Sequence, residues 1–156
     1  MPFTHPPASR FFEDYVPGDV HELGPMTMSE AEIIEFARRF DPQYIHVERE
    51  AAERGPYHGL IASGWHTASA TMRVLVDEFL PRGASLGSPG IDQLRWKLPV
   101  RPGDELRVRV TINESIPSRS KPDRGVVKSL IEVLNASGQV VMSLDALNLF
   151  LRRPAA

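Results

Sequence analysis

Ile61, Trp65, Ala68, Met72, Leu75, Val76 and Phe79 fall on one helical stripe, and no other stretch of the chain constrains its fold as strongly. Ala62, Ala68 and Ala70 keep much of the remaining girth small. The spacing predicts a helix over 61–79, stopped at Pro81-Arg82-Gly83. A helix this apolar has to be largely buried. The residues after Gly83 supply the cover, because the pattern changes to period two. Leu94, Trp96 and Leu98 alternate with Arg95 and Lys97, and Leu106, Val108, Val110 and Ile112 alternate with Arg107, Arg109 and Thr111. Strands are also expected over 126–134 and 139–151, joined as a hairpin by Asn135-Ala136-Ser137-Gly138. Helices followed by strands indicate an α+β fold, here a curved antiparallel sheet wrapped around a long central helix. A free sheet edge is a pairing liability, so a homodimer formed through an edge strand is expected.

Upstream, residues 1–10 are proline-rich and read as a flexible segment, leaving one domain over 11–152 of the 156 residues. Val20–Met26 fits a first strand. Ser29 is a good N-cap, with Glu30 and Glu32 in the first turn and Ile33, Ile34, Phe36, Ala37 and Phe40 at helical spacing. That helix spans Glu30–Phe40 and ends before Pro42, which forces Asp41 out of helical geometry. Residues 41–47 are expected to be a loop, and Glu48–Arg54 a short helix closed by Gly55-Pro56.

Eighteen basic and twenty acidic residues leave a net charge of −2, which gives no reason to expect nucleic acid or an anionic membrane as partner. The absence of cysteine excludes disulfides, thiolate nucleophiles and cysteine metal sites. No apolar run approaches the ~20 residues of a membrane span, and the first residues lack an apolar signal core, so a cytoplasmic location is expected.

Asp41 and His46 stand close together on a loop pinned by Pro42. Histidine titrates near neutral pH, and a neighbouring carboxylate can orient it or share its proton transfers, although a cap aspartate and an exposed histidine read equally well. Ser63-Gly64 opens the central helix, where unpaired N–H groups and a positive dipole end could hold an oxyanion, or where a cap and a packing glycine suffice. His58 and His66 flank the same region, but no metal-ligand spacing accompanies them or His46. Gly59-Leu60-Ile61-Ala62-Ser63 is not a nucleophile elbow, and no Walker or Rossmann glycine pattern occurs. Arg95, Lys97, Arg107 and Arg109 form either a solvated face or a site for the phosphates of a coenzyme A ester.

Four segments in order resemble the MaoC-like dehydratase family, which includes the (R)-specific enoyl-CoA hydratases. Asp41-Pro42-Gln43-Tyr44-Ile45-His46 is similar to its D-x-N-P-[apolar]-H motif, with Gln43 for Asn and Tyr44 for Pro. Gly59-Leu60-Ile61-Ala62-Ser63-Gly64-Trp65 resembles G-x-I-A-H-G-M, with Ser63 for His and Trp65 for Met. The stretch 94–104 resembles the strand F-x-x-P-V-x-x-G-D, and 12–19 the family's opening. The resemblance covers 11–152. It implies the hot-dog fold, usually as a homodimer or an assembly of dimers, and a hydratase or dehydratase of fatty acid metabolism. That enzyme would convert a trans-2-enoyl-CoA, or the corresponding acyl-carrier-protein ester, to the (R)-3-hydroxyacyl thioester with no cofactor. Asp41 and His46 would be catalytic and the Gly64 N–H the oxyanion donor, with Ser63, Trp65, Ser69 and Met72 against the substrate. Met72 falls where hydratases of the family carry a helix serine. A hot-dog acyl-CoA thioesterase and a non-catalytic acyl-CoA-binding subunit are the alternatives.

Overall fold

The computed structural model describes residues 2–156. Among them lie five strands: β1 (Val20–Met26), β2 (Gly90–Trp96), β3 (Leu106–Pro117), β4 (Arg124–Leu134) and β5 (Val140–Leu151). They form one antiparallel sheet in the order β1-β3-β4-β5-β2. The helices are α1 (Glu30–Phe40), α2 (Tyr44–Val47), α3 (Arg49–Arg54) and α4 (Gly64–Val74), the last running on through a wider π-type turn over Leu75–Phe79. This is the expected α+β arrangement, with the inner face of the sheet on α4. None of the helices among the described residues is long and apolar enough to cross a membrane.

Alternation places the core. Leu106, Val108, Val110 and Ile112 of β3 are fully buried, while Arg107 and Arg109 between them face outward. Val127, Ile131 and Val133 of β4 and Val141, Met142, Leu144, Ala146 and Phe150 of β5 join them against Val74, Leu75 and Phe79. Each of the Val, Leu, Ile, Met and Phe side chains so buried is worth about 1.5–3 kcal/mol of transfer free energy. The β4–β5 hairpin closes through Asn135, whose Oδ1 accepts from the Ser137 and Gln139 N–H groups, with Gly138 at φ +77.

Five expectations change in detail. The central helix starts at Gly64, not Ile61, because the Ile61 N–H bonds the Ile45 carbonyl at 3.1 Å and the Ala62 N–H bonds that of Val100 at 2.8 Å. Its buried face is Thr67, Thr71, Val74, Leu75 and Phe79, about a quarter turn from the apolar stripe at 100° per residue. Trp65, Met72 and Val76 of that stripe are exposed (57%, 46% and 46%), so the helix is half-covered. Residues 44–47, expected within a loop, form one helical turn, with the Glu48 N–H on the Tyr44 carbonyl at 2.9 Å.

The strand expected at 94–98 begins at Gly90 and ends at Trp96, with a register shift between Asp92 and Arg95 where Gln93 takes φ +53. It is a sheet edge, paired only to β5, and Ile91 and Trp96 are exposed on it. The N-terminal segment, read as flexible, is held by contacts. Phe3 stacks on His21 with centroids 3.8 Å apart, and Arg10 Nη1 donates to the carbonyls of Glu78 (2.6 Å) and Phe79 (3.1 Å).

Candidate active site

Pro42 fixes the geometry from which the site is built. Asp41 leaves α1 at φ −155 and ψ 67, with its N–H still on the Ala37 carbonyl. The Gln43 N–H then returns to the Asp41 carbonyl at 2.8 Å, and α2 starts at once. That single turn points His46 inward, to 5% exposure.

His46 is held at both nitrogens. Its Nδ1 lies 2.7 Å from the Ile61 carbonyl, which can only accept, so Nδ1 carries a hydrogen. Nε2 of the neutral ring therefore presents a lone pair, 3.3 Å from Asp41 Oδ2. Asp41 is held equally firmly. Gln43 Nε2 donates to its Oδ1 at 2.7 Å, and the Ser63 hydroxyl donates to its Oδ2 at 2.7 Å. Burial pushes this carboxyl up, but the hydrogen bonds from Gln43 and Ser63, with the positive charge of the His46 ring in its protonated form, outweigh it and hold Asp41 below the usual carboxylate value. Asp41 is thus ionised at neutral pH. A water reaching both residues can donate one hydrogen to each, and a hydroxyl can donate its single hydrogen to one of them.

Ser63 is fully buried at the N-cap of α4, yet its side chain makes no cap bond, because the hydroxyl is committed to Asp41. The Gly64 N–H, first in the helix, has no acceptor among the described residues. Gly64, His46, Thr67, Lys97 and Val141 share a cleft of about 290 Å³. The reason for glycine at 64 is the indole of Trp96, since a Cβ there would lie 2.4 Å from Trp96 Cε2.

The structure thus brings Asp41, His46, Ser63 and Gly64 together. The other expected substrate contacts, Trp65, Ser69 and Met72, lie outside this cluster. Trp65 packs edge-on against Trp96 on the outer side of the helix, and the exposed Ser69 hydroxyl donates back to the Trp65 carbonyl at 2.8 Å. Met72 lines a second, apolar cavity of about 210 Å³ one turn further along α4, with Ala68, Thr71, Leu75, Ile91 and Leu144. His66 stacks on Phe36 (4.6 Å) on another side of the helix. Of the four basic residues, Lys97 alone lines the cleft; Arg109 pairs with Glu132 at 3.0 Å, and Arg107 lies 3.7 Å from Glu105. Sequence reasoning missed the Ile61 carbonyl, the holding roles of Gln43 and Ser63, and Thr67. The sole signal for Thr67 was a hydroxyl residue one helical turn beyond Gly64.

Comparison with known proteins agrees with this architecture. The family described as "MaoC like domain" matches residues 14–133. The crystal structure of a MaoC-like dehydratase from Rhodospirillum rubrum is similar at 42% identity and a TM-score of 0.86, covering 94% of this chain and 100% of that one. A 3-hydroxybutyryl-CoA dehydratase of Methylorubrum extorquens is 34% identical over 116 residues, 71% of this chain and 69% of its own length. The R-hydratase PhaJ1 of Pseudomonas aeruginosa, at 22% identity and a TM-score of 0.76 over 92% of this chain and 86% of that one, shares the hot-dog fold. By fold and by sequence, this chain belongs to the MaoC-like dehydratase family.

Proposed function

We propose that this chain is a hydratase/dehydratase acting on a trans-2-enoyl thioester, interconverting it with the (R)-3-hydroxyacyl thioester. The observation that carries the reading is the fixed tautomer of His46. With Nδ1–H on the Ile61 carbonyl, Nε2 offers a lone pair beside an ionised Asp41, and two acceptors side by side hold a water by both its hydrogens. In hydration the water oxygen bonds to C3, one of its protons passes to the pair, and the C2=C3 electrons move toward the thioester oxygen. The Gly64 N–H and the α4 dipole receive that charge. The pair then returns one proton to C2, so the protons balance and no redox carrier or metal is required. Dehydration is the reverse. General acid–base transfer contributes about 10²–10⁴-fold, and one oxyanion donor about 10²–10³-fold.

The apolar cavity around Met72 and Leu75 suits an acyl chain, and Lys97 at the cleft suits a phosphate of coenzyme A or of an acyl-carrier-protein arm. The related 3-hydroxybutyryl-CoA dehydratase makes a four-carbon CoA ester the first substrate to assay. The same reading includes a homodimer, with β2 of one copy beside β2 of the other and Trp65, Met72 and Val76 beneath the contact. An unpaired edge strand and an exposed apolar helix stripe support it.

The test is loss of the conjugated-thioester absorbance of trans-2-butenoyl-CoA. His46→Ala and Asp41→Asn should each lower kcat/KM by about 10²-fold or more with unchanged circular dichroism. Full activity in both variants overturns the roles. Thiol release from saturated acyl-CoA, or thermal stabilisation by acyl-CoA without turnover, overturns the reaction.

A further inference from the structure

Thr67 is 1% exposed, and its hydroxyl has no hydrogen-bond partner among the described residues. A buried hydroxyl left unpaired costs stability, so it calls for an explanation. The usual refuge of a buried helix threonine is the carbonyl four residues back, and Thr71, the next turn on, takes it: its Oγ1 donates to the Thr67 carbonyl at 2.8 Å. At Thr67 that carbonyl belongs to Ser63 and already accepts two N–H groups, from His66 at 2.9 Å and from Thr67 itself at 3.1 Å. Thr67 is one of the residues that wall the cleft lined by His46 and Gly64, and its unpaired hydroxyl is buried there. It stands where that cleft gives way along α4 to the apolar cavity of Ala68, Thr71 and Leu75.

We propose that the Thr67 hydroxyl binds the oxygen that is added to, or removed from, C3 of the substrate. This rests on the hydratase reading. A water molecule has two hydrogens to give and two lone pairs. Asp41 Oδ2 and His46 Nε2 both accept, so they take the hydrogens and fix the water by one side only. One lone pair attacks C3. The other needs a donor, and of the two hydroxyl residues on the cleft wall Thr67 is the buried one without a partner, whereas Tyr57 is 40% exposed. With this fourth contact the oxygen has a single orientation, and the lone pair aimed at C3 is no longer free to swing away. In the reverse direction the same hydrogen bond supports the departing oxygen as its bond to C3 breaks. Thr67 gains and loses no proton; the O–H bond that breaks is the water's, and its proton goes to the acid–base pair.

Thr67→Val keeps the shape and removes the hydroxyl, and Thr67→Ser restores it. The probes are trans-2-butenoyl-CoA for turnover, 3-hydroxybutanoyl-CoA as the ligand carrying the C3 oxygen, and butanoyl-CoA as the ligand lacking it. Thr67→Val should lower kcat at least about tenfold with little change in KM, and should bind 3-hydroxybutanoyl-CoA about tenfold more weakly while binding butanoyl-CoA as the wild type does. Thr67→Ser should recover most of both losses. The melting temperature of Thr67→Val should equal or exceed the wild type's, because no internal bond is lost. Wild-type kcat in Thr67→Val, equal weakening of both ligands, or a lowered melting temperature overturns the inference while leaving the hydratase reading standing. A wild-type protein that turns over no enoyl-CoA overturns the hydratase reading and this inference with it.

Discussion

Asp41 works because its neighbours spend their hydrogen bonds on it. Removing one of them has a calculable sign. Ser63→Ala deletes a donor that favours the ionised carboxylate, so the Asp41 pKa should rise toward its ordinary value. The acid limb of the kcat/KM profile should move to higher pH, with a loss of about tenfold in the plateau; an unmoved limb means that Asp41 is not the group that titrates. The buried His21 and the half-buried His66, both away from the pair, set a second pH dependence. His21 and His66 are held below the ordinary value of 6.5, chiefly by burial. Protonation is then easier in the unfolded chain, so stability is complete above about pH 6.5 and declines as the pH falls below it. Thermal melts at pH 7.5 and 5.5 should show this decline, and His21→Phe should lessen it.

Helix α4 is the element on which everything else is measured. Gly64→Ala places a methyl against the Trp96 indole and should cost about 1–3 kcal/mol of stability, read as a lower denaturant midpoint. On the adjoining strand end, Lys97→Ala should raise KM for a CoA ester while leaving kcat near wild type; an unchanged KM removes Lys97 from phosphate binding. Much of this level was legible in the sequence. Val20–Met26 and Glu30–Phe40 have the boundaries that capping, proline and periodicity predict, and the pairing of Asp41 with His46 followed from Pro42. The face of α4 was not legible. An apolar stripe says that Trp65, Met72 and Val76 need cover, not that the sheet of the same chain provides it. Thr67 was hidden for the same reason: a threonine on an apolar helix announces nothing until the surfaces on either side of it are known.

Taken as a whole molecule, the sheet among the described residues has two edge strands, β1 and β2, and the β2 edge adjoins the exposed helix stripe through the contact of Trp96 with Trp65. Sedimentation or light scattering should give twice the 17.4 kDa of one chain, and Ile91→Lys combined with Trp65→Glu should halve it. A monomeric wild type at micromolar concentration contradicts the dimer. The contact between Trp96 and Gly64 carries this further. Trp96 belongs to the edge strand, and its ring presses on the first residue of the helix that offers the oxyanion donor. Whatever steadies that strand therefore also steadies the donor. If a second copy is what steadies it, specific activity should not be constant on dilution: it should fall as dimers part, return when the enzyme is concentrated again, and fall sooner in a Trp96→Phe variant.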